Sequence, residues 1–236
     1  MKKTVIAIGG GELRERTTLK IDEYIAGLAK ARAGEQRANA LFIPTASHDY
    51  MPYYNTFHKV YTGLFNIKTD VALTVFKEAD MEKLRAKFEK ADVIYVGGGD
   101  TVFMMESWKR SGILPLIKDA YERGVILAGL SAGAICWFSD IYTDSAQELT
   151  GEKYAMFRGL SWFSGVISPH YNARMLDFDK IVCYNYDCAY GLEDDSAIVI
   201  QDGEIVGSLS SGGVAWRLER HDGALKKTAI SEVAQI

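Results

Sequence analysis

The chain has 236 residues, 48% hydrophobic and 25% charged, an ordinary balance for a globular protein with one substantial core. Its 27 basic and 31 acidic residues leave a formal net charge of −4, and no basic stripe runs through it, which argues against nucleic acid or an anionic membrane as partner. No apolar stretch approaches the ~18 residues of a membrane helix. The short run after Met1-Lys2-Lys3 ends in glycines rather than a signal-peptide cleavage site, and three cysteines without metal-ligand spacing suit a reducing cytoplasm.

In chain order, Thr4–Ile8 is a β-branched run stopped by Gly9-Gly10-Gly11, a buried strand entering a tight turn that lines a cleft at most. Ile21, Tyr24, Ile25 and Leu28 recur at helical spacing within Thr18–Ala33. Strands are expected at Leu41–Ile43, Val71–Phe76, Val93–Val96 and Val125–Leu130, with helices over Tyr54–Phe65, Met81–Glu89, Thr101–Lys109 and Leu114–Glu122, the last closed by Gly124. Beyond Ser131 a helix begins, Val166–Ser168 forms a further strand before Pro169-His170, and Met175–Asp187 reads as a helix. The tail changes character. Ala197–Ile200, Ile205–Leu209 and Val214–Leu218 are short strands, the first two joined by the hairpin turn Asp202-Gly203.

Strands alternating with helices predict an α/β fold, a mostly parallel sheet covered by helices on both faces in three layers, with antiparallel hairpin strands appended near the C-terminus. With no linker or repeat, residues 1–236 read as a single domain.

Gly129-Leu130-Ser131-Ala132-Gly133 has the form G-x-S-x-G. Alone, that pattern is more often a packing turn. Here a strand precedes it and a helix start follows, the context of an elbow that lifts a serine hydroxyl out of the carboxyl edge of a sheet. The following N–H groups, that of Ala132 first, then face the place where negative charge develops in acyl transfer. A serine needs an adjacent base, and the histidines are His48, His58, His170 and His221. His170, just past the end of a strand, is favoured. His48, after Pro44-Thr45-Ala46-Ser47, is the alternative, His58 falls in a surface helix, and His221 precedes the turn Asp222-Gly223. Glu193, Asp194 and Asp195, or Asp144, offer an acid to orient the imidazole, and position alone does not choose among them. Gly97-Gly98-Gly99 after another strand lacks the residues of a nucleotide loop and better supplies a second oxyanion N–H.

With these residues assembled, the chain resembles the peptidase E family of serine peptidases, which includes the α-aspartyl dipeptidases and, more distantly, the cyanophycinases. The resemblance rests on ordered segments: Phe42-Ile43-Pro44-Thr45-Ala46-Ser47, Tyr95-Val96-Gly97-Gly98-Gly99-Asp100-Thr101, Gly129-Leu130-Ser131-Ala132-Gly133-Ala134, Pro169-His170-Tyr171 and Gly191-Leu192-Glu193-Asp194-Asp195-Ser196-Ala197. It implies a fold like that of class I glutamine amidotransferases and flavodoxin, and hydrolysis of short peptides through an acyl-enzyme on Ser131. His170 would be the base, Gly98 or Gly99 and Ala132 the oxyanion donors, with no metal or cofactor. The family's acid is usually a glutamate in the last segment; the register here puts Asp194 at that place, with Glu193 one residue earlier. The dipeptidases read the substrate carboxylate with an arginine after the histidine. Arg174 follows His170 at a shorter interval, which leaves the aspartate preference open; Arg174, Tyr171 and Asp100 are the expected substrate contacts. Trp162 and Phe163 could line an apolar pocket beside Tyr171. Cys136 reads as a buried structural thiol, and Trp108, Tyr186 and Tyr190 as candidates for a homodimer surface. The rival readings are a cyanophycinase-like enzyme, another peptidase or esterase on the same elbow, a catalytically silent binder of a small molecule, and a nucleotide-binding domain.

Overall fold

The computed structural model describes residues 2–75, 80–145, 147, 151–221 and 223–234. A seven-stranded sheet holds β1 (Thr4–Ile8), β2 (Asn39–Ile43), β3 (Lys68–Val71), β4 (Val93–Val96), β5 (Ile126–Leu130), β10 (Ser196–Gln201) and β11 (Glu204–Ser210), in the order β11-β10-β1-β5-β4-β2-β3. The five strands from β1 to β3 are mutually parallel, and β10 and β11 add on antiparallel through the Asp202-Gly203 hairpin, both turn residues at positive φ.

Alternation along each strand decides what covers the sheet. Ile6, Ile8, Phe42, Tyr95, Ala128 and Val199 meet α1 (Leu19–Ala33) and α2 (Met51–Gly63) through Ile21, Ile25, Phe57 and Tyr61. Val5, Ala7, Leu41, Ile94, Val96, Leu127 and Ile198 pack in the opposite core with α3 (Met81–Lys90), α4 (Thr101–Ser111) and α5 (Leu114–Glu122), through Phe88, Met104, Trp108 and Ile117. Asp80 and Asp100 cap α3 and α4 by accepting from Lys83 N and Phe103 N.

The third strand lies earlier than Val71–Phe76. At the sheet edge, Lys68-Thr69-Asp70 alternate with solvent and carry the ladder despite their polarity. The apolar stretch that follows leaves it, because Asp49 Oδ2 accepts from Thr74 N (2.6 Å) and Val75 N (2.7 Å). Phe76 lies outside the described residues, as does Asp222 in the turn beside His221.

A second sheet, absent from the sequence expectation, has the order β13-β12-β9-β8-β6-β7. It contains β6 (Phe138–Thr143), β7 (Ala155–Arg158), β8 (Phe163–Ser168), β9 (Cys188–Leu192), β12 (Ala215–His221) and β13 (Ala224–Ala229). The tail strands therefore divide: β10 and β11 join the first sheet, β12 and β13 the second. Helix α7 (Tyr171–Asn185) covers one face of the second sheet with Tyr171, Phe178 and Val182 against Tyr142, Val166, Ala189 and Leu218. The neighbouring residues Ile141 and Ile167 belong to the core they share with the first sheet. Two links cross between the sheets near Ser131: α6 (Ala132–Ile135) leads from β5 into β6, and residues 193–195 lead from β9 into β10. Among the described residues no helix is long and apolar enough to cross a membrane.

Candidate active site

Strands β1 and β5 end side by side, Ile8 opposite Leu130, and Ser131 N donates to Ile8 O at 2.9 Å. This places Ser131 at the carboxyl edge of the parallel strands, where open α/β sheets form their sites. Its backbone is strained, φ 53° and ψ −108°, held by Ala134 N and Ile135 N, which both donate to Ser131 O. The tight return also needs Gly133, because a Cβ there would strike Val96 O. The helix behind the elbow is one turn long, so it contributes local N–H groups and not the extended dipole of a long helix.

His170 comes from the other sheet. Strand β8 ends at Ser168, and His170, at φ 48°, opens α7. Its Nε2 lies 2.9 Å from Ser131 Oγ, and its Nδ1 lies 2.6 Å from Asp194 Oδ1. Asp194 is further fixed by Asn172, whose Nδ2 donates to Oδ2 at 3.0 Å and whose Oδ1 accepts from Asp194 N at 3.2 Å. The hydrogen bond to His170 is the main cause that holds the Asp194 carboxyl below its ordinary range, with smaller help from Asn172 and against the opposing effect of burial.

Glu193 does not share this role. Its Oε2 accepts from Val214 N at 3.0 Å and its Oε1 from the Trp216 indole at 2.9 Å, which ties the inter-sheet link to β12. Asp144 sits elsewhere again, 3.1 Å from Arg174 Nη2.

The loop Gly9-Gly10-Gly11 does more than line a cleft. His170 N donates to Gly9 O at 3.0 Å and Asp195 N to Gly10 O at 3.1 Å, so one loop fastens both the imidazole segment and the acidic link. A Cβ on Gly10 would overlap Asp194 Oδ1 and the His170 ring. Only glycine lets the backbone pass beneath that pair.

Two clefts meet at Ser131, His170 and Gly99. One, of about 740 Å³, is lined also by His48, Asp100, Asp144, Ser145, Gln147 and Arg174. The other, of about 470 Å³, is lined by Glu12, Leu13, Arg14, Tyr50, Pro52, Tyr53, Gly98 and Leu130. Arg174 is buried, with Nη1 donating to Tyr142 O at 3.1 Å and the guanidinium 4.8 Å from the Tyr154 ring centroid. Asp100 lines its cleft while capping α4. His48 reaches the same cleft but lies against Phe103, ring centroids 3.9 Å apart, and makes no hydrogen bond to Ser131.

Several expected contacts fall elsewhere. Tyr171 is fully buried under Gly191 and donates to Asp179 Oδ1 at 2.6 Å, so it is core of the second sheet and not a substrate contact. Trp162 packs on Trp137, ring centroids 4.9 Å apart, and with Phe163 borders a different hollow beside Lys3 and Tyr121. Trp108 is buried and donates to Thr45 Oγ1, so it forms no surface for a second copy. Cys136 is buried, and burial pushes its thiol well above the usual range, as expected of an inert structural cysteine.

Of the N–H groups expected to meet an oxyanion, that of Gly98 is engaged with the Tyr53 hydroxyl at 3.3 Å. Asn172, Tyr53 and the close fit of Gly10 escaped sequence reading. Asn172 follows His170 by two places and could have been noticed there, whereas nothing local marks Tyr53.

Comparison with known proteins supports the fold and a peptidase. The uncharacterized peptidase YgaJ of Bacillus subtilis is 32% identical over 223 residues, 92% of this chain and 92% of that protein. Peptidase E of Haemophilus influenzae is 25% identical over 161 residues, covering 63% of this chain and 72% of its own. The crystal structure of a peptidase from an acI-B1 Actinobacterium superposes with a TM-score of 0.69 at 18% identity, over 100% of this chain and 97% of that one, a likeness of fold. The sequence pattern of Peptidase family S51 matches residues 5–207, and the chain belongs to that family.

Proposed function

We propose that the protein is a serine-type hydrolase of short peptides, of the aspartyl-dipeptidase kind, acting through an acyl-enzyme on Ser131. The observation that supports it is the continuous hydrogen-bonded line from Ser131 Oγ through His170 to Asp194, 2.9 and 2.6 Å long.

In this reading Ser131 Oγ attacks the peptide carbonyl carbon while His170 Nε2 takes its proton. Asp194 accepts from His170 Nδ1–H, holding the imidazole in the tautomer whose Nε2 can act as base. The electron pair displaced from the carbonyl settles on its oxygen, facing the N–H groups of Gly99 and Ala132. His170 then protonates the leaving amine, and water releases the acyl group by the reverse proton path. The two clefts flanking Ser131 have room for the residues on either side of the scissile bond of a short peptide. The Arg174 guanidinium would meet an acidic side chain by exchanging it for Asp144, a half-exposed carboxylate. The free thiols Cys136, Cys183 and Cys188 go with a cytoplasmic setting.

The test is a dipeptide-library digest by wild type and Ser131→Ala side by side, with aspartyl and isoaspartyl dipeptides, cyanophycin and p-nitrophenyl esters included. Cleavage of dipeptides by wild type alone, fastest after aspartate, is the expected result. Equal cleavage by both proteins, or esters as the only substrates, would overturn the proposal.

A further inference from the structure

The loop expected to bind the oxyanion has one of its N–H groups already engaged. Gly98 N–H donates to the Tyr53 hydroxyl, an oxygen supplied by α2 and not by the catalytic loops. The phenol is firmly placed. Its ring stands edge-on to Phe42, centroids 5.0 Å apart at 72°, and its Cε1 lies where a Cβ on Gly97 would come within 2.9 Å. Tyr53, Gly98 and Ser131 line one cleft, and a Cβ on Gly98 would sit 3.5 Å from Ser131 Cβ. The hydroxyl therefore stands beside Gly98, the residue that borders the serine, in a cleft they share with it.

Having accepted from Gly98, the phenol keeps its own O–H, which finds no acceptor among the described residues. Burial pushes the Tyr53 phenol up to about 12. It stays protonated at any ordinary working pH and remains a donor. A hydroxyl that accepts one hydrogen bond is polarised to donate a stronger one.

We propose that Tyr53 completes the oxyanion hole, its O–H donating to the tetrahedral oxygen formed on Ser131 while Gly98 N–H holds and polarises the phenol. No proton is transferred; the bond made and the bond broken remain those at the carbonyl carbon. The inference rests on the Ser131 acyl-enzyme reading and adds a side-chain donor to the backbone ones.

Tyr53→Phe removes one oxygen and keeps the ring against Phe42 and Gly97. The expected result is a fall in kcat of roughly 10- to 100-fold with KM changed less than about threefold, because the donor acts on charge that exists only in the transition state. Affinity for a dipeptide aldehyde, which forms the tetrahedral adduct, should fall by the same factor. Affinity for a reduced-amide dipeptide, which has no carbonyl oxygen at the scissile position, should stay unchanged. Wild-type kcat in Tyr53→Phe, or reduced-amide affinity falling in step with the aldehyde, would overturn the proposal. Serine-directed phosphonate labelling of the wild type keeps the two readings apart. If Ser131 is labelled and Tyr53→Phe is fully active, only the role of Tyr53 fails; if Ser131 is not labelled, the acyl-enzyme reading fails as well.

Discussion

Ser131 Oγ and His170 Nε2 lie 2.9 Å apart although each is carried by a different sheet, Ser131 just past β5 of the first and His170 just past β8 of the second. Their meeting depends on the loop between them. Gly9 O accepts from His170 N and Gly10 O from Asp195 N, so the end of β1 sets the distance from the serine to the imidazole.

Ser131→Ala removes the attacking oxygen and little else, since the backbone bond from Ser131 N to Ile8 O does not involve the side chain. The expected outcome is a folded protein whose peptide hydrolysis falls by roughly 10⁴- to 10⁶-fold. A serine-directed phosphonate should add one label to the wild type, mapping to Ser131, and none to the variant. A label on Cys136 would contradict the assignment.

Asp194 and Glu193 are neighbours with separate tasks, and their variants should fail differently. Asp194→Asn leaves His170 Nδ1 facing an amide and favours the wrong tautomer, so kcat should fall by about 10³- to 10⁴-fold with little change in melting temperature. Glu193→Gln disturbs the bonds to Val214 N and the Trp216 indole. It should cost about 1 kcal/mol of stability, read by urea denaturation, while kcat stays within a few-fold.

Gly10→Ala puts a methyl group where Asp194 and His170 already are. The pair must move, and displacement of a base by about 1 Å lowers turnover by about 10²-fold or more. A comparable methyl at Gly27, which meets nothing within 4 Å on an accessible stretch of α1, is the control and should leave turnover unchanged.

The pH dependence of stability should carry the mark of Asp22. This carboxylate is buried beneath α1, where it accepts from Thr18 Oγ1 at 2.7 Å and Tyr61 Oη at 2.9 Å, and burial pushes it up to about 7. The folded state therefore holds a proton that the unfolded chain releases near the ordinary aspartate value of about 3.9. Stability from this group is full below that value and is lost as pH rises toward about 7. Asp194, held low by His170, has the opposite sign, with stability present above the unfolded value and lost as pH falls through its lowered one. Of these two groups only Asp22 changes between about pH 5 and about pH 8. Wild type should lose on the order of 2 kcal/mol more than Asp22→Asn over that interval, measured by chemical denaturation. Parallel curves for the two proteins would show that Asp22 does not titrate there.

Much of the first sheet was legible because its signals are local. Thr4–Ile8, Val93–Val96 and Leu114–Glu122 are short runs whose period and punctuation alone set their type and ends, and the structure has elements at those places. The elbow was legible for the same reason, since a strand, small residues and a helix start are adjacent in the chain. The second sheet was legible only in part: strands were expected at Val166–Ser168 and Val214–Leu218, where β8 and β12 lie, but not the sheet that joins them. Phe138–Thr143 mixes serine and aspartate with aromatics, and Cys188–Leu192 includes Gly191, which is there to admit the Tyr171 ring. Such strands are held by partners far along the chain, and their own residues do not announce them.

Residue types and their order pointed, without coordinates, to a serine on a strand–turn–helix corner, a histidine after a strand and an acidic link as one candidate site, and the fold brings the three side chains together. Which acid turns to the imidazole could not be read from position alone; the family register favoured Asp194, and the tertiary structure supplies the physical reason. At the link between the sheets, successive side chains leave the backbone in different directions, so Asp194 faces His170 while Glu193 faces Trp216. Composition is blind to that choice, because direction depends on where β9 hands the chain to β10 and on the glycine loop that pins the crossing.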